Sequence, residues 1–159
     1  HLSKLLRNQL NMFEHFFDKD LFLHLSGDIT KEDVIKTMYE KAHDKGIVDE
    51  RFIDSVLQRE EIGDTNMNEV FALPHPMELC ATDTKVVVAL LDTPIKWNES
   101  NSIQIVFMLV IKQGEMQDFE HLYDIFIEII NDNKLEQKII DSRTYDEFIN
   151  VLYDGISIE

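Results

Sequence analysis

Two long apolar runs in the second half of the chain restrict its possible folds more than any other feature. They cover residues 85–91 and 102–111, and both are rich in β-branched residues. A strand with one wet face alternates apolar and polar residues, whereas a nearly continuous apolar run is typical of a strand covered on both faces. The sequence therefore predicts an α/β fold with three layers, α/β/α, in which helices flank both faces of a mixed central sheet.

Segments with helical periodicity elsewhere in the chain are predicted to form the two outer layers. Thr30, followed by Asp33, matches a helix N-cap with an acidic residue at the third helical position, and an apolar stripe continues toward Gly46. Further helices are predicted over residues 49–62, from Gly114 to about 131, and over residues 134–141 and 144–153. Residues 20–25 are predicted to form a strand. Residues 94–98 are predicted to connect the two apolar strands, with Trp97 as an anchor against the core.

Length and composition fit one domain. A chain of 159 residues with 44% apolar content can bury an ordinary single core with little left over. Residues 18–159 are predicted to form this domain. Residues 1–17 have apolar side chains near helical spacing and are predicted to be a leading helix or the linker from a preceding domain.

The charge and the cysteine usage limit the partners and the compartment. With 31 acidic and 15 basic residues, the net charge of −16 repels nucleic acid and anionic lipid, so no direct nucleic-acid contact is expected. The acidic surface either speeds encounter with a basic protein partner or only keeps the domain soluble. Cys80 is the single cysteine, which fits a reducing compartment and a cytoplasmic location. The run over residues 103–111 is too short for a membrane helix, and no secretion leader is recognised.

A histidine that lies between two prolines is the strongest candidate for a reactive side chain. Pro74-His75-Pro76 follows a short apolar run, and both prolines narrow the backbone conformations available to His75. A neutral imidazole on such a rigid mount is a nucleophile suited to accept and release a phosphoryl group. The structural alternative is a strand-end histidine whose nitrogens are satisfied by backbone hydrogen bonds.

Two other residues complete a candidate site with His75. Arg59 falls near the end of a predicted helix, about 90° from the centre of its apolar stripe, and His121 lies in the first turns of another helix, opposite that helix's apolar face. Phosphoryl transfer requires mainly positioning and stabilisation of the phosphoryl oxygens. Arginine's planar fork matches those oxygens, and a second histidine can support them. No metal or other cofactor is required, because the donor is an activated N–P bond.

The order and spacing of these segments resemble the mannitol/fructose-type enzyme IIA domain of the bacterial phosphoenolpyruvate-dependent sugar phosphotransferase system. Residues 56–61 resemble its helix with the active-site arginine, residues 71–76 its phosphohistidine motif, and residues 120–122 its second-histidine motif. Residues 88–97 and 105–110 match its strand, Pro-x-x-Trp and strand pattern. The family has a Gly-containing turn where this chain has Asn68-Glu69. Because asparagine tolerates the left-handed region, we expect the turn to survive.

The resemblance implies roles and partners. His75 would take a phosphoryl group from the carrier protein HPr or exchange it with an enzyme IIB, supported by Arg59 and His121. The proline after His75 and the entry at residues 17–22 resemble the C-terminal IIA-like domains of sugar-controlled transcription regulators and antiterminators. In that setting the partners include neighbouring domains of a longer chain, and a homodimer is one option for the assembly.

Four other interpretations are weighed against this one. The first is a stand-alone enzyme IIA that passes phosphate to a sugar permease. The second is an interaction module of the same fold that is not phosphorylated. The third is a zinc site built from His75, His121 and Glu78 or Cys80, which lacks the tight spacing of familiar zinc motifs. The fourth is a nucleophilic Cys80, although a lone cysteine after a strand is more often a small apolar filler.

Overall fold

A computed structural model describes residues 14–156, except for the side chains of Met116 and Asp118, and in this range a mixed sheet lies between two helical layers. The strands are β1 (Phe22–Leu25), β2 (Phe71–Ala72), β3 (Lys85–Lys96) and β4 (Ser102–Val110). Their spatial order is β1-β3-β4-β2; β3 and β4 are antiparallel, while β1 runs parallel to β3 and β2 parallel to β4. The predicted α/β class is confirmed.

Five α-helices within the described range cover the sheet. They are α1 (Lys31–Asp44), α2 (Glu50–Ile62), α3 (Met116–Ile130), α4 (Asn133–Ile140) and α5 (Tyr145–Gly155). The predicted start of α1 is confirmed, because Thr30 Oγ1 accepts from the Asp33 N–H at 3.1 Å and the Asp33 carboxylate accepts from the Thr30 N–H. Side-chain caps also start α2 at Asp49 and α5 at Thr144.

The apolar residues of β3 and β4 point alternately into two separate cores. One core packs Val86, Val88 and Leu90 against α3, α4 and α5; the other packs Val87, Ala89 and Leu91 against α1 and α2. Residues 86–91 are all nearly fully buried, which is the reason this strand has no polar face. The covering of both sheet faces that the apolar runs predict is therefore confirmed.

The boundaries of β1 and β3 differ from the sequence prediction. β3 continues to Lys96 because Ile95 and Lys96 pair with Ile103 and Ser102 after a register shift, so most of the predicted connection at residues 94–98 is strand. The first strand begins at Phe22, after a short 3₁₀ turn, Lys19–Leu21. β2 ends at Ala72. Trp97 is only 4% exposed, as expected of an anchor.

The predicted leading helix lies mostly outside the described residues. Within its described end, residues 14–16 are helical, and Phe16 and Phe17 are buried in the core that faces α3 and α5. Lys85 Nζ donates to the carbonyl oxygen of His15 at 2.6 Å, and Tyr145 Oη donates to that of Phe17 at 3.1 Å. These residues are packed against the domain, while the boundary between residues 17 and 18 stays a prediction.

Candidate phosphoryl-transfer site

A cavity of about 360 Å³ opens at the end of the sheet where β2 and β4 finish. Its wall combines the end of α2, the loop into β2, the segment after β2, the end of β4 and the first turns of α3. The lining residues are Arg59, Thr65, Asn66, Met67, Leu73, His75, Pro76, Leu79, Leu109, Ile111, Phe119 and Tyr123. Two of the three predicted site residues, Arg59 and His75, therefore lie in one cavity.

Backbone hydrogen bonds fix the segment that carries His75. The Leu73 N–H donates to the carbonyl oxygen of Thr65 at 2.9 Å, and the Leu109 N–H donates to that of Pro74 at 2.9 Å. The first bond ties this segment to the loop in front of β2, and the second ties it to β4. The position of His75 is consequently set by main-chain contacts from two directions.

A third attachment holds the chain after the histidine. The Met77 N–H donates to the carbonyl oxygen of Ser55 at 3.3 Å, and the Glu78 N–H donates to the Ser55 hydroxyl at 3.1 Å. Ser55 belongs to α2, the helix that also carries Arg59. The segment after His75 is thereby fastened to the arginine's own helix.

One hydrogen bond defines the chemistry of the His75 ring. Nδ1 lies 2.8 Å from the carbonyl oxygen of Leu73. A carbonyl oxygen can only accept, so Nδ1 carries the proton and donates it to this bond. In the neutral ring Nε2 then holds the lone pair and is the nucleophilic nitrogen.

Arg59 occupies the last turn of α2 and is partly buried. One terminal nitrogen of its guanidinium donates to the carbonyl oxygen of Gly63 at 2.7 Å, beyond the end of the helix. Since a guanidinium has five N–H donors in a fixed plane, most of them remain for a ligand. Arg59 is therefore a fixed cation in the same cavity as His75, and most of its N–H donors are unused.

His121 is not brought into this cavity. It lies on α3 and is exposed, whereas Phe119 and Tyr123 of the same helix line the cavity. Residues 119 and 123 are one turn apart and share a face, while residue 121 falls on the opposite side of the helix. The helix predicted to present His121 is in place, but the His121 side chain is exposed and does not line the cavity.

The loop in front of β2 is closed by Asn68 rather than by a glycine conformation. Asn68 Oδ1 accepts from the N–H groups of Val70 and Phe71, both at 2.9 Å, and its Nδ2 donates to Glu136 Oε2 at 2.6 Å. No residue other than glycine has a positive φ within residues 14–156, so the expected left-handed conformation is not used. The turn persists because the asparagine side chain caps it.

A buried ion pair beside the cavity is the part of the site that sequence reasoning missed. The Glu60 side chain is 6% exposed and lies 2.8 Å from Lys31 Nζ, and its other oxygen accepts a hydrogen bond from the Thr65 hydroxyl. Lys31 also lies 4.6 Å from the centre of the Trp97 ring. Burial of Glu60 follows from the packing of α2 on α1, which the sequence of α2 alone does not reveal.

The described residues offer little for the metal and thiol alternatives. Within residues 14–156, no three or more His, Cys, Asp or Glu side chains are grouped so that they could hold a metal ion. Cys80 is partly buried, and this desolvation raises the pKa of its thiol, which disfavours the reactive thiolate. Across the described part of the chain, no helix is both long and apolar enough to cross a membrane.

Three large apolar side chains are exposed on the segments that carry the cavity residues. They are Ile62, three residues after Arg59 and 70% exposed; Met77, two residues after His75 and 49% exposed; and Tyr123, a lining residue that is 41% exposed. Large exposed apolar groups are characteristic of a surface that meets another protein.

The fold is an α/β domain with Arg59 and His75 in one cavity, and comparison with known proteins gives its family. Residues 15–155 match the family model described as "Phosphoenolpyruvate-dependent sugar phosphotransferase system, EIIA 2". This match covers nearly the whole chain, so the chain belongs to that family. The resemblance stated from the sequence motifs is thus confirmed.

Individual relatives include both regulators and transport components. The Bacillus subtilis (strain 168) protein named "Probable licABCH operon regulator" is 27% identical over 150 residues, which are 94% of this chain and 23% of that protein. The mannitol-specific phosphotransferase enzyme IIA component of the same organism is 25% identical over 125 residues, 77% of this chain and 85% of that protein. This chain thus spans about a quarter of the regulator's length.

Solved structures show the same fold at low sequence identity. The mannitol IIA structure from Escherichia coli has a TM-score of 0.72 at 18% identity and covers 85% of this chain and 97% of that one. The complex of enzyme IIA of the mannitol system with phosphorylated enzyme IIB, also from Escherichia coli, has a TM-score of 0.74 at 18% identity, with 87% and 99% covered.

Proposed function

We propose that this domain accepts a phosphoryl group on Nε2 of His75 and gives it up again, as the sugar-responsive switch of a transcription regulator. The observation that carries the proposal is the hydrogen bond from His75 Nδ1 to the Leu73 carbonyl oxygen, in a cavity that also contains Arg59. It leaves Nε2 with its lone pair beside a cation that can bind phosphoryl oxygens.

The phosphoryl group passes from the imidazole of the donor to the imidazole of His75. The donor is a phosphorylated histidine whose other ring nitrogen is protonated, which makes its neutral imidazole a good leaving group. The Nε2 lone pair of His75 attacks phosphorus, a new N–P bond forms, and the donor N–P bond breaks with its electron pair returning to the donor nitrogen. His75 keeps its own proton on Nδ1, and the Leu73 carbonyl oxygen accepts a hydrogen bond from this N–H and so stabilises the positive ring.

The proposal assigns Arg59 a larger contribution to phosphoryl transfer than His121. Arg59 stabilises the charge on the equatorial phosphoryl oxygens, because it lines the same cavity as His75. His121 is kept as the supporting histidine with the smaller contribution, since it is exposed and does not line the cavity. The expected order of importance is His75, then Arg59, then His121.

The partner is a phosphoryl donor or acceptor protein, HPr or an enzyme IIB. Support comes from the exposed Ile62, Met77 and Tyr123 on the segments that carry the cavity residues, which offer apolar contact area. The net charge of −16 favours a partner with a basic surface. A related domain of the mannitol system is known in complex with a phosphorylated enzyme IIB.

A place in a regulator is supported by the relative that aligns with 94% of this chain but is about four times longer. There the domain would lie in the cytoplasm beside other domains of the same polypeptide. A phosphohistidine adds negative charge and acceptor oxygens at a surface that a neighbouring domain or a second copy can read. The second candidate, a stand-alone enzyme IIA that feeds a sugar permease, is supported by the similarity to the mannitol component.

The deciding experiment is phosphorylation by HPr that has been charged from radiolabelled phosphoenolpyruvate. We expect the chain to be labelled and His75→Ala to remain unlabelled, with circular dichroism showing that both are folded. Equal labelling of His75→Ala would refute the assignment of His75. Absence of labelling in the folded wild-type chain, with both HPr and phosphorylated enzyme IIB as donors, would instead support the non-phosphorylated interaction module.

A further inference from the structure

Glu60 stands out because its charge is buried next to the site and has no part in the transfer itself. Its side chain is 6% exposed, with Lys31 Nζ at 2.8 Å from one oxygen and the Thr65 hydroxyl donating to the other. The partners come from α1 and from the loop between α2 and β2. A buried carboxylate persists only when such partners compensate its charge, so this arrangement is specific.

Thr65 connects this ion pair to the reacting ring. It lines the cavity together with Arg59 and His75, and its carbonyl oxygen accepts from the Leu73 N–H at 2.9 Å. The carbonyl oxygen of Leu73 in turn accepts from His75 Nδ1 at 2.8 Å. A continuous series of polar contacts therefore runs from Lys31 through Glu60, Thr65 and Leu73 to the imidazole.

The same carboxylate sets the direction of the arginine. Glu60 follows Arg59 directly on α2, and neighbouring helical residues differ by about 100° around the axis. Holding Glu60 against Lys31 and Thr65 fixes the rotation of this last helical turn and, with it, the direction in which Arg59 leaves the helix. Arg59 and His75 are consequently positioned by one buried group.

The Thr65 hydroxyl has a defined role in this geometry. Its single proton is donated to the Glu60 carboxylate, so the hydroxyl has no proton left to donate to a phosphoryl oxygen. Thr65 is thus part of the support for the site rather than a ligand of the phosphoryl group. Lys31 is likewise occupied, since it contacts Glu60, Asp64 and the carbonyl oxygen of Trp97.

We infer that Glu60 is a positioning residue for phosphoryl transfer: anchored by Lys31, it holds Thr65 and the end of α2 so that His75 and Arg59 keep their relative placement. The inference rests on the proposed function and deepens it. A misplacement on the scale of an ångström is enough to slow a reaction that depends on alignment by roughly a hundredfold.

The test uses two substitutions that remove one contact each at nearly constant volume. Glu60→Gln removes the charge, and Thr65→Val removes the hydroxyl. Thr65→Ser, which keeps the hydroxyl, is the conservative rescue, and Glu61→Gln is the matched control because Glu61 is the adjacent, exposed carboxylate. Urea unfolding first establishes which variants are folded.

Two readouts are taken on the folded variants. In the first, initial rates of transfer from phosphorylated HPr are measured over a range of HPr concentrations, and we expect Glu60→Gln and Thr65→Val to lower the maximal rate by roughly tenfold to a hundredfold while KM changes little. Thr65→Ser and Glu61→Gln should stay within a factor of about two to three of the wild type. In the second, ¹⁵N NMR of the His75 ring, which needs no partner, should show a weaker preference for the Nδ1–H tautomer in Thr65→Val.

The outcomes separate this inference from the proposed function. Folded Glu60→Gln that transfers at the wild-type rate, or Thr65→Ser that fails as Thr65→Val does, would overturn the positioning role while leaving His75 as the acceptor. If the wild-type chain is not labelled at all, the proposed function fails, and the tautomer measurement still decides whether Thr65 orders the ring. If Glu60→Gln does not fold, the comparison of Thr65→Val with Thr65→Ser decides whether the contact between Thr65 and Glu60 positions the site.

Discussion

The carbonyl oxygen of Leu73 lies 2.8 Å from Nδ1 of His75, so a main-chain group determines which imidazole nitrogen keeps its lone pair. The hydrogen bond uses the main chain of residue 73, whose side chain is buried in the core. It also follows directly from the intervening Pro74, whose fixed φ limits how the histidine can turn relative to that carbonyl.

The first prediction is that the transferred phosphoryl group is found on Nε2. The Nδ1 proton is held by the Leu73 carbonyl oxygen, so only Nε2 has a lone pair in the neutral ring. Two-dimensional NMR that correlates the ring protons with ¹⁵N and ³¹P identifies the substituted nitrogen. A phosphoryl group on Nδ1 would contradict this account of the ring.

The second prediction concerns the cation beside His75. Arg59→Gln should lower the maximal rate of transfer by roughly a hundredfold, because the guanidinium stabilises developing charge on the phosphoryl oxygens. Arg59→Lys should recover part of the rate, since an ammonium keeps the charge without the planar fork. Arg51→Gln serves as control, as Arg51 is exposed and pairs with Asp49 at the other end of α2. Equal rates for Arg59→Gln and the wild type would remove Arg59 from the mechanism.

The third prediction separates His121 from Arg59. Because His121 is exposed and lies outside the cavity, we expect His121→Gln to slow transfer by less than about tenfold. The same initial-rate assay with phosphorylated HPr measures both variants. A loss as large as that of Arg59→Gln would show that α3 presents His121 to the phosphoryl group when the partner is bound.

The fourth prediction is a pH dependence of stability that originates at Glu136. Burial raises the pKa of this carboxyl above its usual 4.5, although the hydrogen bond from Asn68 opposes the shift. Between 4.5 and the raised value the folded state holds more protons than the unfolded state, so the free energy of unfolding falls as pH rises through this range.

Glu136→Gln tests the fourth prediction because it keeps an acceptor for Asn68 and removes the charge. At neutral pH the variant should be at least as stable as the wild type, with a gain of the order of 1 kcal/mol or less, and below pH 4.5 that gain should vanish. Urea unfolding over this pH range measures the difference. A variant that is less stable at neutral pH would mean that the ionised carboxylate stabilises the loop.

The fifth prediction is slow alkylation of Cys80. Desolvation raises the pKa of its thiol, so at neutral pH the thiolate is scarcer than in a free thiol of ordinary pKa. We expect iodoacetamide to modify the folded chain more slowly than the urea-unfolded chain, as followed by mass spectrometry. Faster reaction in the folded state would revive a nucleophilic role for Cys80.

Much of this architecture is readable from the sequence because it depends on local or periodic signals. The continuous apolar runs give two strands covered on both faces, and the Thr30–Asp33 pair gives the start of α1. The extension of β3 past Pro94 is not readable, because it depends on pairing with β4 across a register shift.

The site shows the same division between local and tertiary information. Pro74-His75-Pro76 marks the proposed acceptor locally, and the end of α2 places Arg59 in the same cavity. The exposure of His121 follows from its place opposite the apolar face of α3, whereas the burial of Glu60 depends on how α2 packs on α1, which residue spacing does not encode. Asn68 closes the loop through local contacts with Val70 and Phe71, whereas its hydrogen bond to Glu136, 68 residues away, depends on the tertiary fold.

The cavity lies where the two cores of the domain meet. Arg59 belongs to a helix packed on one face of the sheet, Tyr123 to a helix packed on the other face, and His75 to the sheet layer between them. A substitution that loosens the packing of only one layer can thus abolish the proposed phosphoryl transfer while circular dichroism still reports a folded chain. Inactive variants far from His75 are therefore to be expected, and inactivity alone does not place a residue in the chemistry.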